Sequence, residues 1–111
     1  MELKITKVEG GGTLDEKIVL DVISDCDLAD YILADTAYDE NNGMRCKLRH
    51  KHWFKHLKVK AGDIVELYTK AGRDSRSTLK ERKSTKHLLH WGLKSSLWNS
   101  NGEGSVLFKI C

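Results

Sequence analysis

The sequence predicts an all-β fold, a sandwich or barrel of short strands within one domain. Three observations carry this reading: apolar and polar residues alternate over much of the chain, turn signals rich in Gly and Asn recur about every 8–12 residues, and no segment sustains a convincing helical periodicity. A length of 111 residues suits a single core, and 40% hydrophobic content is that of a globular chain. Proline is absent, and no repeat, heptad or low-complexity linker opens a second domain, so residues 1–111 read as one unit.

In chain order, Glu2-Leu3-Lys4-Ile5-Thr6-Lys7-Val8 alternates and Gly10-Gly11-Gly12 interrupts it. A β-branched run over residues 16–23 follows, around Ile18, Val19, Leu20, Val22 and Ile23, which predicts a second strand. Residues 29–35 place Tyr31 and Leu33 on one face, and Asn41-Asn42-Gly43 supplies the turn that lets residues 44–49 return as the second arm of a hairpin. A competing helical reading of residues 26–38 rests on the spacing of Leu28, Ile32 and Asp35, with Asp25 as cap. Ala61-Gly62-Asp63 is the next turn, before the strand-forming hexamer Ile64-Val65-Glu66-Leu67-Tyr68-Thr69. Residues 70–86 are polar and basic, with Leu79 as their only large aliphatic side chain, and read as a long exposed loop. Residues 86–91 and 105–110 complete the strands, and Asn99-Ser100-Asn101-Gly102 turns the chain between them. Trp91 and Trp98 are large enough to fill the space between two sheets; the alternative is that they are exposed platforms for stacking bases.

Several of these segments occur in a recognisable order. Val59-Lys60-Ala61-Gly62-Asp63-Ile64-Val65-Glu66-Leu67 is followed by Trp91, then by Trp98-Asn99-Ser100-Asn101-Gly102-Glu103 and a closing strand with Val106 and Leu107. This order and spacing resembles the lamin-tail domain. Leu28-Ala29-Asp30-Tyr31-Ile32-Leu33-Ala34-Asp35 is similar to the family's strand in which a tryptophan precedes an aliphatic residue and an Asp, with Tyr31 at the tryptophan position. The resemblance spans residues 14–110. It implies an immunoglobulin-like β-sandwich of about 7–9 short strands and a role in attachment or recognition, with protein or nucleic acid as partner.

The formal charge of +3 is a cancellation. Residues 1–43 carry −8, residues 44–60 carry +7 with no acid, and residues 70–86 carry +5. These regions either neutralise each other in the fold or present a basic face to a partner. No apolar run approaches the roughly 18 residues that cross a bilayer, and the first residues lack the apolar stretch of a signal peptide. With an odd count of three cysteines, free thiols and a cytoplasmic location are expected, and no membrane partner. An edge strand leaves a dimer open without implying one.

Alternation places Arg45, Lys47, Arg49 and Lys51 in one basic stripe interleaved with Trp53 and Phe54, and Arg73, Arg76, Arg82 and Lys83 could extend it as a nucleic-acid surface. His50 and His52 share a strand face, with Cys46, His56, His87 and His90 as further ligand types. No Cys-x-x-Cys or His-Glu-x-x-His spacing supports zinc, so they are read as solvated histidines, and no metal or cofactor is expected. Gly10-Gly11-Gly12 lacks the Gly-Lys-Ser/Thr of a phosphate loop, Asp25, Asp27 and Asp30 lack the rest of an EF-hand loop, and no Gly-x-Ser-x-Gly elbow occurs. The expected function is a non-enzymatic binding or interaction module, with nucleic-acid binding through residues 45–60 and 70–86 as the alternative.

Overall fold

Ten strands run through the described chain: β1 (Leu3–Glu9), β2 (Lys17–Val22), β3 (Cys26–Asp27), β4 (Tyr31–Asp39), β5 (Gly43–Trp53), β6 (Lys58–Val59), β7 (Ile64–Lys70), β8 (Ser75–Leu79), β9 (Ser84–Leu93) and β10 (Ser105–Lys109). The structure, a computed structural model, describes residues 1–10, 13, 15–39, 43–79, 84–93 and 105–110, with residues 36–39 and 43–49 as backbone. The fold is all-β, and the single helical element among the described residues is a 3-10 turn, Leu28–Asp30. No helix among the described residues is long and apolar enough to cross a membrane.

The strands form a five-stranded sheet in the order β1-β2-β7-β9-β8, a three-stranded sheet β10-β4-β5 and a two-stranded ribbon β3-β6. Neighbours are antiparallel except β7 and β9, which run parallel from Ile64 opposite Lys86 to Tyr68 opposite His90. The connection that parallel strands require is made by β8. The chain leaves β7, forms the sheet edge as β8 and returns as β9 between the two.

Alternation decides which face is buried. Leu3, Ile18, Leu20, Val22, Val65 and Leu67 from the five-stranded sheet meet Tyr31, Leu33 and Leu107 from the three-stranded sheet in one core, with Val59 of β6 and with Leu28 and Phe54 from the connections. Leu89 and Trp91 pack against this core partly buried, while Trp98 lies outside the described residues. At residue 62 a turn requires glycine: Asp63 N donates to Lys60 O at 2.9 Å and Gly62 takes a φ of 91°.

Two expectations are corrected, and the competing helical reading is excluded. Residues 70–86 are not one long basic loop, because Ser75–Leu79 is strand β8, paired from Ser75 opposite Leu88 to Leu79 opposite Ser84, and β9 already begins at Ser84. Apolar periodicity reports burial, and an edge strand of Ser, Arg and Thr held by backbone bonds to one neighbour has none to show. Residues 26–38 do not form a helix. Asp27, not Asp25, caps a three-residue turn by accepting from Ala29 N at 2.9 Å, and buried Tyr31 and Leu33 then alternate as a strand. The strands number ten among the described residues, because β3 and β6 are two-residue bridges that residue patterns cannot register.

Candidate functional site

The two larger sheets end on edge strands that do not pair with each other, β5 on one and β8 on the other. A groove of about 410 Å3 opens here, with His52 and Phe54 on the β5 side and Asp74, Ser75 and Arg76 on the β8 side, Asp74 being its one carboxylate among the lining residues. His87, Leu89 and His90 of β9 reach it from the neighbouring strand, and Lys55, His56 and Leu57 enter from the connection after β5. Four of the chain's five histidines therefore line one cavity. Its size is that of a small-molecule site.

Local structure explains how each imidazole is placed. His52 stands opposite Leu33 in the β4–β5 register, so it takes the core-facing side, and Trp53 stands opposite Ile32 on the other. The His52 ring meets Phe54 edge-on at 5.0 Å and tilts against Trp91 at 5.2 Å. It has no hydrogen-bond partner among the described residues. Burial pushes it below the ordinary histidine range, with Asp74 opposing and Lys55 adding to the shift.

The other three imidazoles each rest on a carboxylate. His87 Nε2 lies 3.1 Å from Asp63 Oδ2, and both residues are buried. Asp63 also accepts from Lys60 N and Thr85 N, each at 3.0 Å. Burial alone would raise the Asp63 carboxyl, but these two amides and the His87 ring outweigh it and hold it below the usual range. His56 Nδ1 lies 3.1 Å from Asp27 Oδ2, while Asp27 Oδ1 holds the amides of Ala29 and Leu57. The Ala29 amide, the His56 ring and the Leu57 amide together bring Asp27 down to about 2. His90 Nδ1 lies 3.1 Å from Asp74 Oδ1, and its ring stacks on Tyr68 at 5.3 Å. Position 72 must be glycine for this, since a Cβ there would stand 2.4 Å from the His90 ring.

Acids of the first third lie beside the basic residues 45–60, and among the described residues none of them stands at ion-pair distance from Lys51, Lys55, Lys58 or Lys60. Asp25 accepts from Ala61 N at 2.9 Å, Asp27 from Leu57 N and Asp35 from His50 N at 2.7 Å. Their carboxylates are thus engaged by backbone amides and histidines. Lys51, Lys55, Lys58, Lys60, Arg73 and Arg76 are exposed and have no carboxylate at ion-pair distance among the described residues.

Of the eight residues assigned to a nucleic-acid surface, Arg76 lines the groove and Lys51 is exposed on β5 beside His52. Arg73 opens onto a different depression, shared with Lys17, Tyr68 and Lys70. Arg45, Lys47 and Arg49 lie on the described backbone of β5, and Arg82 and Lys83 lie outside the described residues. The β4–β5 register shifts between Ala34 and Thr36, so the alternation behind a stripe from 45 to 51 is interrupted. The same shift takes His50 to Asp35 at 3.2 Å while His52 lies in the groove. Among the described residues no three His, Cys, Asp or Glu side chains gather as a metal cluster. Asp63 and Asp74 were not marked by the sequence as site residues: Asp63 reads as a turn residue and Asp74 as one charge in a polar stretch. Comparison with protein-family models, with curated proteins and with solved structures finds no match to this chain.

Proposed function

We propose that the chain is a non-enzymatic binding module whose partner is anionic and docks along the seam between β5 and β8. The architecture assigned to it is the immunoglobulin-like sandwich of the lamin-tail resemblance, a reading supported by two sheets that share one core. One observation carries the binding reading: among the described residues Lys51, Lys55, Lys58, Lys60 and Arg76 have no carboxylate at ion-pair distance, while Asp25, Asp27 and Asp63 accept from backbone amides. Such cations attract an anionic partner and release counterions when it binds.

Nucleic acid is the second reading, favoured by Trp53. Trp53 is 62% exposed, with Lys51 and Lys55 two residues away on either side in the sequence, and its Nε1 donates to Ala29 O at 2.7 Å. An anchored, exposed indole with lysines nearby in the sequence suits base stacking with phosphate contacts.

The test is fluorescence anisotropy of a labelled single-stranded oligonucleotide, with heparin as an anion that carries no bases. Binding to both that weakens steeply with salt supports the anionic reading, and a loss of oligonucleotide binding alone in Trp53→Ala supports the nucleic-acid one. If neither anion binds at low salt, both readings fail.

A further inference from the structure

We propose that the histidine-lined groove is a binding site for a small phosphorylated ligand with a planar body bearing N–H or O–H donors, the chemistry of a mononucleotide. This deepens the anionic reading by giving the seam a specific pocket.

The groove offers three kinds of contact in one place. At the rim are Arg76 and Lys55, both exposed and free of carboxylate partners among the described residues. A guanidinium binds phosphate through two parallel hydrogen bonds and a lysine adds a mobile charge. The wall is apolar, made by Phe54, Leu57 and Leu89, and Phe54 is itself almost wholly buried, so this surface is fixed by the core. An apolar wall of this kind suits the face of a planar ring.

The floor supplies acceptors. His87 spends Nε2 on Asp63, which fixes the ring and makes Nδ1 its second hydrogen-bonding position. When a neutral imidazole donates its N–H to a carboxylate, its other nitrogen is an acceptor. His52, with no hydrogen bond among the described residues, brings one further acceptor nitrogen and one N–H when neutral. A simple anion such as sulfate would use the rim and leave these acceptors unused. A ligand that carries both phosphate and donor groups uses all three, and about 410 Å3 accommodates one nucleotide rather than a chain of them.

The same chemistry could arrive as a free mononucleotide or as the 5′-phosphorylated end of a strand. Adenosine monophosphate, adenosine and inorganic phosphate are titrated into the protein by NMR, alongside one oligonucleotide with a 5′-phosphate and one with a 5′-hydroxyl. The monophosphate is expected to shift amides of residues 52–57, 74–76 and 87–90, and to bind about tenfold tighter than either fragment, the gain of one good charged contact. Arg76→Met is expected to remove that advantage, and His52→Phe, which keeps the ring packing, to weaken the monophosphate and adenosine alike. A preference for the 5′-phosphorylated strand over free monophosphate would identify the strand end as the natural source. Absent shifts in the groove, or equal affinity for monophosphate and adenosine, overturn the proposal. Salt-dependent oligonucleotide binding that ignores the 5′-phosphate would then leave the anionic reading standing alone, whereas monophosphate binding without any binding of oligonucleotide or heparin would do the reverse.

Discussion

His87 and Asp63 form a buried pair, with Nε2 and Oδ2 3.1 Å apart, that ties β9 to the turn preceding β7. The pair lies where β7 and β9 begin to run parallel, Val65 opposite His87. Asp63 closes the turn through Lys60 N and holds Thr85 N, so one carboxylate joins three segments and also orients a groove imidazole. Fold and candidate site share this residue.

Replacing Asp63 with Ala removes all three bonds and leaves buried donors unsatisfied. A loss of about 3 kcal/mol is expected, measured by urea unfolding. Since the folded Asp63 carboxyl is held below its ordinary value, the unfolded chain binds its proton first. Stability from this group is therefore full above the ordinary carboxylate pKa and is lost as pH falls through the folded value. The variant should lack that part of the acid decline. A decline identical to the parent's would show that Asp63 is not a stabilising carboxylate.

Tyr31 is wholly buried, and its hydroxyl donates to the Glu2 carboxylate, which also takes Lys109 Nζ at 2.6 Å. Lys109 first and Tyr31 second bring the Glu2 carboxyl down to about 2, while burial and then the bond to Glu2 push the Tyr31 phenol well above its usual range. Tyr31→Phe should cost about 1 kcal/mol, since the ring still fills the core and only the hydrogen bond is lost. In an alkaline absorbance titration the latest phenol to ionise should be missing from the variant. Two indistinguishable titrations would refute the assignment.

These two pairs show what was legible in the sequence. Tyr31 and Leu33 announce their shared face by alternation, and Ala61-Gly62-Asp63 announces its turn, because both signals are local. The groove is not local. His52, Arg76 and His87 meet because β8 and β9 fold back beside β7, and β8 left no trace in an exposed run of Ser, Arg and Thr. The basic stripe assumed unbroken alternation, which a register shift of one residue interrupts. Charge totals showed the acidic and basic regions but not that Asp25 and Asp27 would hold backbone amides instead of lysines.

Gly72 provides a test of the groove without touching a ligating side chain. A Cβ at this position would stand 2.4 Å from His90 Cδ2 and 2.5 Å from Nε2, so Gly72→Ala must displace the ring from Asp74 and Tyr68. The ring lines the groove and is not part of the hydrophobic core, so the stability cost should stay within about 1 kcal/mol. The His90 ring-proton resonances should shift by loss of the Tyr68 ring current, with His87 unchanged. A variant whose His90 resonances match the parent's would contradict the packing.

His52 is expected to make stability, and anion binding in the proposed groove site, depend on pH. Its folded pKa is lowered chiefly by burial, with the Phe54 and Trp91 rings against it, Lys55 reinforcing the shift and Asp74 opposing it. The unfolded chain therefore takes up this proton first as pH falls. Stability from His52 is complete above the ordinary histidine pKa and is lost as pH drops through that value towards the folded one. His52→Phe should lose less stability than the parent between about pH 7 and pH 5. An anion bound in the groove favours the protonated ring and so opposes this loss. Sulfate keeps its double charge throughout this range, so any change in its effect reports the protein alone. It should raise the parent's melting temperature more at pH 5.5 than at pH 7.5, and this pH dependence should shrink in His52→Phe and the whole effect in Arg76→Met. Sulfate stabilisation that is independent of pH and unaffected by either substitution would place the anion elsewhere on the surface.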